Sequence, residues 1–313
     1  RICKMSKKAT AADVLEIIKQ IENEPNLRST IKKMLSEIKE DMKKAETLSE
    51  HNIIVEKTNS MVKLIAKINA IESWTRDDNE IKKTEMMLEH LVNSRRNLAE
   101  RGFTEEELEE NPTLEVEESL EPSLLLEWVL YRALASIFGN AVTFNGNQND
   151  THTVPLSTAG GSEADLEVEF DNFMIVVEAT VSTGQRQYDT ETEPVVRHVA
   201  ELQKAHPTKK VYGIFIANKI EDSVVDYFLV YHAFHRHPTS DKNILIVPCT
   251  SKSFLDLYNK MRSSKNPKNE LKKFFEDVEQ TTKTCSTCKR PELTMQDFQK
   301  NYEENFDKLL KRL

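Results

Sequence analysis

Between Phe173 and Val181 the chain is apolar and β-branched apart from one charge, Glu178. A run of that length and texture suits a β-strand within a sheet. A lone carboxylate in such a strand is expensive to bury unpaired, by several kcal/mol. Glu178 therefore needs a cation beside it or a place on the solvent side of the sheet, and at this level both remain open.

The residues just upstream supply a partner. Asp171-Asn172 is a hairpin-type turn. Ahead of it, Ala164 to Phe170 alternates, with Leu166, Val168 and Phe170 facing one way and Asp165, Glu167 and Glu169 the other. A turn centred on 171–172 sets Asp165 opposite, or next to, Glu178. Two hard carboxylates one pairing apart suit Mg²⁺, with Mn²⁺ as a substitute. The glycines of Gly160-Gly161-Ser162-Glu163-Ala164 lead directly into Asp165.

Two more acids join the set. In the helix expected from Pro122 to Phe138, Leu120, Leu124, Glu127, Tyr131, Leu134 and Phe138 recur in steps of three and four. Glu127 is the one charge in that stripe, and Arg132 lies on another face. Either Glu127 faces the interior and needs a partner, or the stripe is rotated and it sits at the edge. Further on, Gln187, Glu191 and His198 align if the helix from Gln187 to Ala205 is continuous. Pro194 allows a second arrangement, with a helix starting there and Glu191 in the turn before it. Arg186, Arg197, Lys204, Lys209 and Lys210 lie in the same stretch and are expected to form a basic surface beside the acids, suited to phosphate.

The remaining pattern gives the architecture. Residues 10 to about 101 read as helices, with breaks at Asn23–Asn26 and Arg76–Asn79. The acidic run from Glu105 to Glu121, with Pro112 within it, reads as a solvated linker. Beyond it, strands are expected at 141–144, 164–170, 173–181, 211–217 and 243–248, and a loop at 145–150. Helices are expected at about 221–235, 251–263, 266–283 and 292–313. That order describes an α/β domain, a mixed sheet flanked by helices, preceded by an all-helical region. The expected division is 1–112 helical and 113–313 α/β.

Composition narrows the function classes. A net charge of −9 counts against a passive nucleic-acid binder, although much of the acid sits in the linker. Four cysteines are too few for a disulfide scaffold in 313 residues, so a reducing cytoplasm is the expected compartment. Cys285-Ser-Thr-Cys288 has the spacing of half a zinc site, but no second pair completes it, and an exposed turn is the alternative. The chain opens on Arg1 rather than Met and is expected to be a fragment or processed product.

Three segments together carry a resemblance: Gly160 to Asp165, then Val177-Glu178-Ala179-Thr180-Val181-Ser182-Thr183-Gly184, then Gln187, Glu191 and Glu193-Pro194-Val195-Val196-Arg197-His198. With Glu127-Trp128 at matching spacing, they resemble the cleavage domain of AlwI-type type IIS restriction endonucleases and their nicking relatives, a PD-(D/E)XK fold. The match is specific over about 120–217. The resemblance implies a Mg²⁺-dependent, site-specific cytoplasmic prokaryotic deoxyribonuclease acting on double-stranded DNA. It implies Glu127, Asp165, Glu178 and Glu191 as active-site acids, with Asp165 and Glu178 as direct metal ligands and Glu127 completing the shell. Thr180 stands where the superfamily more often has lysine, so Glu191 or Gln187 would orient water, or a second metal would take over that role; Gln187, Thr180, Arg197 and His198 are the candidates to position substrate or water. It also implies a recognition domain upstream, and a second catalytic subunit or a homodimer where both strands are cut. Two alternatives stay open: an inactive DNA-binding or dimerisation module, and a repair nuclease of the same fold.

Overall fold

The computed structural model describes residues 11–22, 29–45, 47–93, 120–149, 152–233, 238–240, 243–287 and 295–313. The acidic linker expected at 105–121 lies almost wholly outside them, as does Cys288. Cys285 falls in the last turns of a helix rather than in a turn between helices.

The chain divides into two compact units. The first runs to Ser73 and includes 148–154. It holds helices α1 (Ala11–Glu22), α2 (Ser29–Lys44) and most of α3 (Leu48–Arg76). Ile18, Ile21, Ile38, Met61 and Val62 form its core, the periodic apolar positions of the sequence. The packing boundary at Ser73/Trp74 differs from the expected 112/113. The reason is local: α4 (Asp78–Asn93) packs on α5 (Pro122–Phe138). Arg132 of α5 is 2% exposed, and its Nη2 donates to Glu80 Oε2 at 2.7 Å and to Thr84 Oγ1 at 3.2 Å. Its guanidinium also stands 5.3 Å over the Trp74 ring.

The second unit is built on one five-stranded sheet in the order β1-β4-β5-β6-β7. Its strands are β1 (Val142–Phe144), β4 (Leu166–Glu169), β5 (Phe173–Thr180), β6 (Lys210–Ala217) and β7 (Leu245–Thr250). The pairs β1/β4 and β4/β5 are antiparallel, while β5/β6 and β6/β7 are parallel. The stretch expected as a plain loop carries a small separate sheet, β2 (Asn147–Gln148) with β3 (Pro155–Ser157).

Helix α6 (Gly184–Ala205) crosses from β5 to β6, and α7 (Asp222–Ala233) from β6 to β7. Both cover one face, where Met174, Val176, Val195, Val199, Phe215 and Phe228 share a core. Gly213 makes the close approach possible, since a Cβ there would stand 2.8 Å from Ile246 Cγ1 and 3.1 Å from Val199 Cγ2. α8 (Ser251–Ser263), α9 (Pro267–Thr287) and α10 (Met295–Arg312) complete the unit. Pro194 lies inside α6 without ending it, so the continuous-helix arrangement holds. α5 is buried nearly all round from Leu124 to Ala135, rather than along one stripe.

Candidate active site

The register Leu166↔Val177 extends to place Asp165 beside Glu178, as the hairpin spacing requires. Asp165 is fastened there by its backbone neighbour: the Ala179 N–H donates to Asp165 Oδ2 at 2.8 Å. Glu178 lies on the α6 face of β5, since residues 174, 176, 178 and 180 share a side. It is 7% exposed and therefore does not reach solvent from a sheet face. Glu127 reaches the same region from α5; it is 4% exposed, and its Oε2 has no hydrogen-bond partner among the described residues.

All three acids have raised pKa values, burial first, and the charge of Glu178 adds to the rise of the other two. Burial lifts Asp165 well above the usual carboxylate range, and the charges of Glu178, Glu127 and Glu191 add to it, opposed by the Ala179 N–H. Burial lifts Glu127 to about 7; the Ala159 backbone opposes and Glu178 adds to the shift. Glu178 is also raised, by burial first, although His198 works against it. Among the described residues, none of the three has a Lys or Arg partner.

His198 supplies the hydrogen-bond partner of Glu178. Its Nδ1 lies 2.7 Å from Glu178 Oε1, both groups buried. Burial disfavours the imidazolium, but the hydrogen bond and charge of Glu178 outweigh it, and the His198 pKa rises. Nδ1 and Oε1 share one hydrogen bond, and the pKa of each group lies above its ordinary value. Nε2 of His198 meets no partner within hydrogen-bond distance among the described residues, while the nearby Gly161 backbone adds to the rise.

α6 meets the end of β5 three times. Gln187, 0% exposed, donates through Nε2 to Ser182 O at 2.8 Å and Lys219 O at 2.9 Å, and accepts from Glu221 N–H at 2.9 Å. Glu191 Oε1 accepts from the Thr180 hydroxyl at 2.9 Å. His198 meets Glu178. The alignment of 187, 191 and 198 seen in the sequence thus becomes contact with 182, 180 and 178. The Gln187 amide is spent on backbone, so it holds two loops together and is not available to orient water.

The expected basic surface divides. Arg197 stays close: its Nη2 donates to Gly161 O at 3.2 Å, pinning the glycine loop that leads to Asp165. Arg186 is exposed near the start of α6, and Lys204 lies near its other end. Lys209 and Lys210 stand at the opposite end of the sheet, where Lys210 is in register with Phe173. Roughly 16 Å of strand separates that position from Glu178. Lys209 Nζ pairs with Glu169 at 2.5 Å, and Lys210 pairs with Glu279. These two lysines do not flank the acids, because a parallel crossover returns the chain to the beginning of the neighbouring strand.

Other contributors were not foreseen. Glu221 Oε1 accepts from Gly184 N–H, fixing the start of α6 where Gly184 has φ +63°. The signal for it was Gly184 itself, which permits a left-handed start. The parts played by the Ala159, Gly161 and Ala179 backbones leave no trace in side-chain identity.

The donors fit a hard divalent cation by their chemistry: two buried carboxylates and one half-buried, the charges of Glu178 and Glu127 acting on Asp165, and one buried oxygen without a partner among the described residues. They are not yet a ready shell, since among the described residues no three His, Cys, Asp or Glu side chains converge closely enough to hold a metal ion. No described helix is long and apolar enough to cross a membrane.

No curated protein sequence matches the chain. Among solved structures, the small subunit R.BspD6I2 of the heterodimeric restriction endonuclease R.BspD6I is similar at 23% identity and a TM-score of 0.46, over 62% of this chain and 94% of that one. The sequence profile of the AlwI restriction endonuclease family matches residues 2–257. With a match over most of its length, the chain belongs to the AlwI restriction endonuclease family.

Proposed function

We propose that this chain hydrolyses phosphodiester bonds of double-stranded DNA with Mg²⁺, as the cleavage part of a type IIS restriction or strand-nicking enzyme. Family membership supports the nuclease role. The observation that carries the finer reading is the approach of Glu127, Asp165 and Glu178, from three separate elements, to one enclosed place where the charge of Glu178 raises the pKa of the other two and that of Glu127 raises Asp165. Buried like charges with no Lys or Arg partner are unfavourable unless a cation joins them.

Asp165 and Glu178 would hold the ion, and Glu127 would complete its shell. When bound, Mg²⁺ supplies Lewis-acid polarisation of the phosphate and a lower pKa for water. The chain's own groups do the rest. The Ala179 N–H keeps Asp165 in place. His198 holds Glu178 in place through the Nδ1–Oε1 hydrogen bond. Arg197 steadies the loop before Asp165. Glu191 orients the attacking water, with Gln187 committed to backbone. The expected products are a 5′-phosphate and a 3′-hydroxyl. The chain brings one such set of acids to two antiparallel DNA strands, so cutting both calls for a second catalytic subunit or a second copy.

The test is cleavage of supercoiled plasmid by full-length enzyme carrying Asp165→Ala or Glu178→Ala, with Mg²⁺ present. Loss of cleavage in both supports the reading; wild-type rates in either one overturn it.

A further inference from the structure

We infer that Thr180 is a positioning residue for Glu191: its hydroxyl holds one carboxylate oxygen so that the other faces the acidic site. The inference rests on the cleavage reading above and adds a residue to it. Thr180 is the last residue of β5, two positions beyond Glu178 and on the same face of the sheet. It is 5% exposed, so water does not compete freely for its hydroxyl.

Hydrogen-bond arithmetic fixes the direction of that hydroxyl. Ser182 N–H can only donate, and it donates to Thr180 Oγ1 at 3.0 Å. The single hydroxyl proton then goes to Glu191 Oε1 at 2.9 Å. Thr190 is a weaker holder. Its hydroxyl lies 3.1 Å from the same oxygen but 2.8 Å from Arg186 O, it has one proton for both, and it is exposed. The other oxygen of Glu191 has no protein partner among the described residues, and its charge is felt by both Asp165 and Glu178.

The helix explains why an outside holder is needed. Pro194 has no N–H to give to the carbonyl of Thr190, so the turn carrying Glu191 lacks one backbone bond. The bond from β5 supplies a restraint that this turn does not supply to itself. Valine at 180 would keep the shape of the strand residue and remove only the hydroxyl.

The experiment is a double-mutant cycle in the full-length enzyme on supercoiled plasmid with Mg²⁺. Thr180→Val is expected to lower the saturating cleavage rate about 100-fold, the scale of an ångström's misplacement, with the half-saturating plasmid concentration unchanged. Thr180→Ser, which keeps the hydroxyl, should recover most of that loss. Glu191→Gln should lose a similar factor, and adding Thr180→Val to it should cost little more. Amide exchange in metal-free protein gives a readout independent of cleavage: Ser182 N–H is protected in wild type and Thr180→Ser, and fast in Thr180→Val. If valine disturbs folding, Thr180→Ala replaces it in the cycle.

Full activity of Thr180→Val beside an inactive Asp165→Ala overturns this inference alone. So does an equal further loss from Thr180→Val in the Glu191→Gln background. Full activity of Asp165→Ala removes the cleavage site itself, and this inference with it.

Discussion

The two ends of the central sheet use the same residue types in opposite ways. At the turn end, each acid has a base: Glu169 with Lys209, Asp171 with Lys268, Glu279 with Lys210. The hydrogen bonds and charges of these lysines lower the pKa of Glu169 and Asp171. At the other end, Glu127 and Glu178 are buried and Asp165 half-buried beside them, none has a Lys or Arg partner among the described residues, and all three are raised. Where lysines were at hand, the chain placed them away from the acids that would have been easiest to neutralise. A folded protein carries such a cluster at a cost in stability, and function is the usual reason for it.

The largest effect that could break this contrast is on activity. Asp165→Asn and Glu178→Gln should each reduce plasmid cleavage about 10³-fold, the range of a single catalytic group. Glu169→Gln, at the other end, should leave it unchanged. An equal loss from both ends would erase the distinction.

Stability against pH is the next test. A carboxylate whose pKa rises on folding contributes stability below its unfolded pKa, and that contribution is lost as pH rises through the folded value. Glu127, at about 7, therefore makes the metal-free protein less stable as pH goes from about 5 to about 8, by on the order of 3 kcal/mol. The raised Asp165, Glu178 and His198 act with the same sign. Thermal melting without metal should show the fall, and Glu127→Gln should flatten it. Glu169 and Asp171 have the opposite sign, losing stability as pH falls.

Two smaller effects sharpen the contrast. Gly213→Ala inserts a methyl between β7 and α6, and should cost about 1–3 kcal/mol in chemical denaturation. It should slow cleavage as well, because α6 carries Glu191 and His198. Lys209→Ala removes a pair whose glutamate is half exposed, and should cost less than about 1 kcal/mol by the same measurement, with cleavage intact.

Much of the fold was legible because the chain writes it in local terms. The run at 173–181, the turn at 171–172 and the alternation before it gave the hairpin, and with it the neighbours Asp165 and Glu178. The steps from 187 to 191 to 198 gave one helix face, which Pro194 left ambiguous and the structure resolves as continuous. What could not be read was set by tertiary return. Lys209 and Lys210 sit near the acids in sequence but enter β6 at its far end. Gln187 looked like a site residue because it shares the face of Glu191, yet the loops at 182 and 219–221 claim its amide. Arg132 found Glu80 across a long sequence gap, which drew α4 into the sheet unit and moved the boundary.

The proposed reading makes Glu127, Asp165 and Glu178 the seat of a divalent cation. Calorimetric titration of Mg²⁺ or Mn²⁺ into metal-free protein tests it most directly. Saturable binding is expected in wild type and in Lys209→Ala, and none in Asp165→Asn and Glu178→Gln. Absence of binding in wild type, or undiminished binding in those two variants, would contradict it.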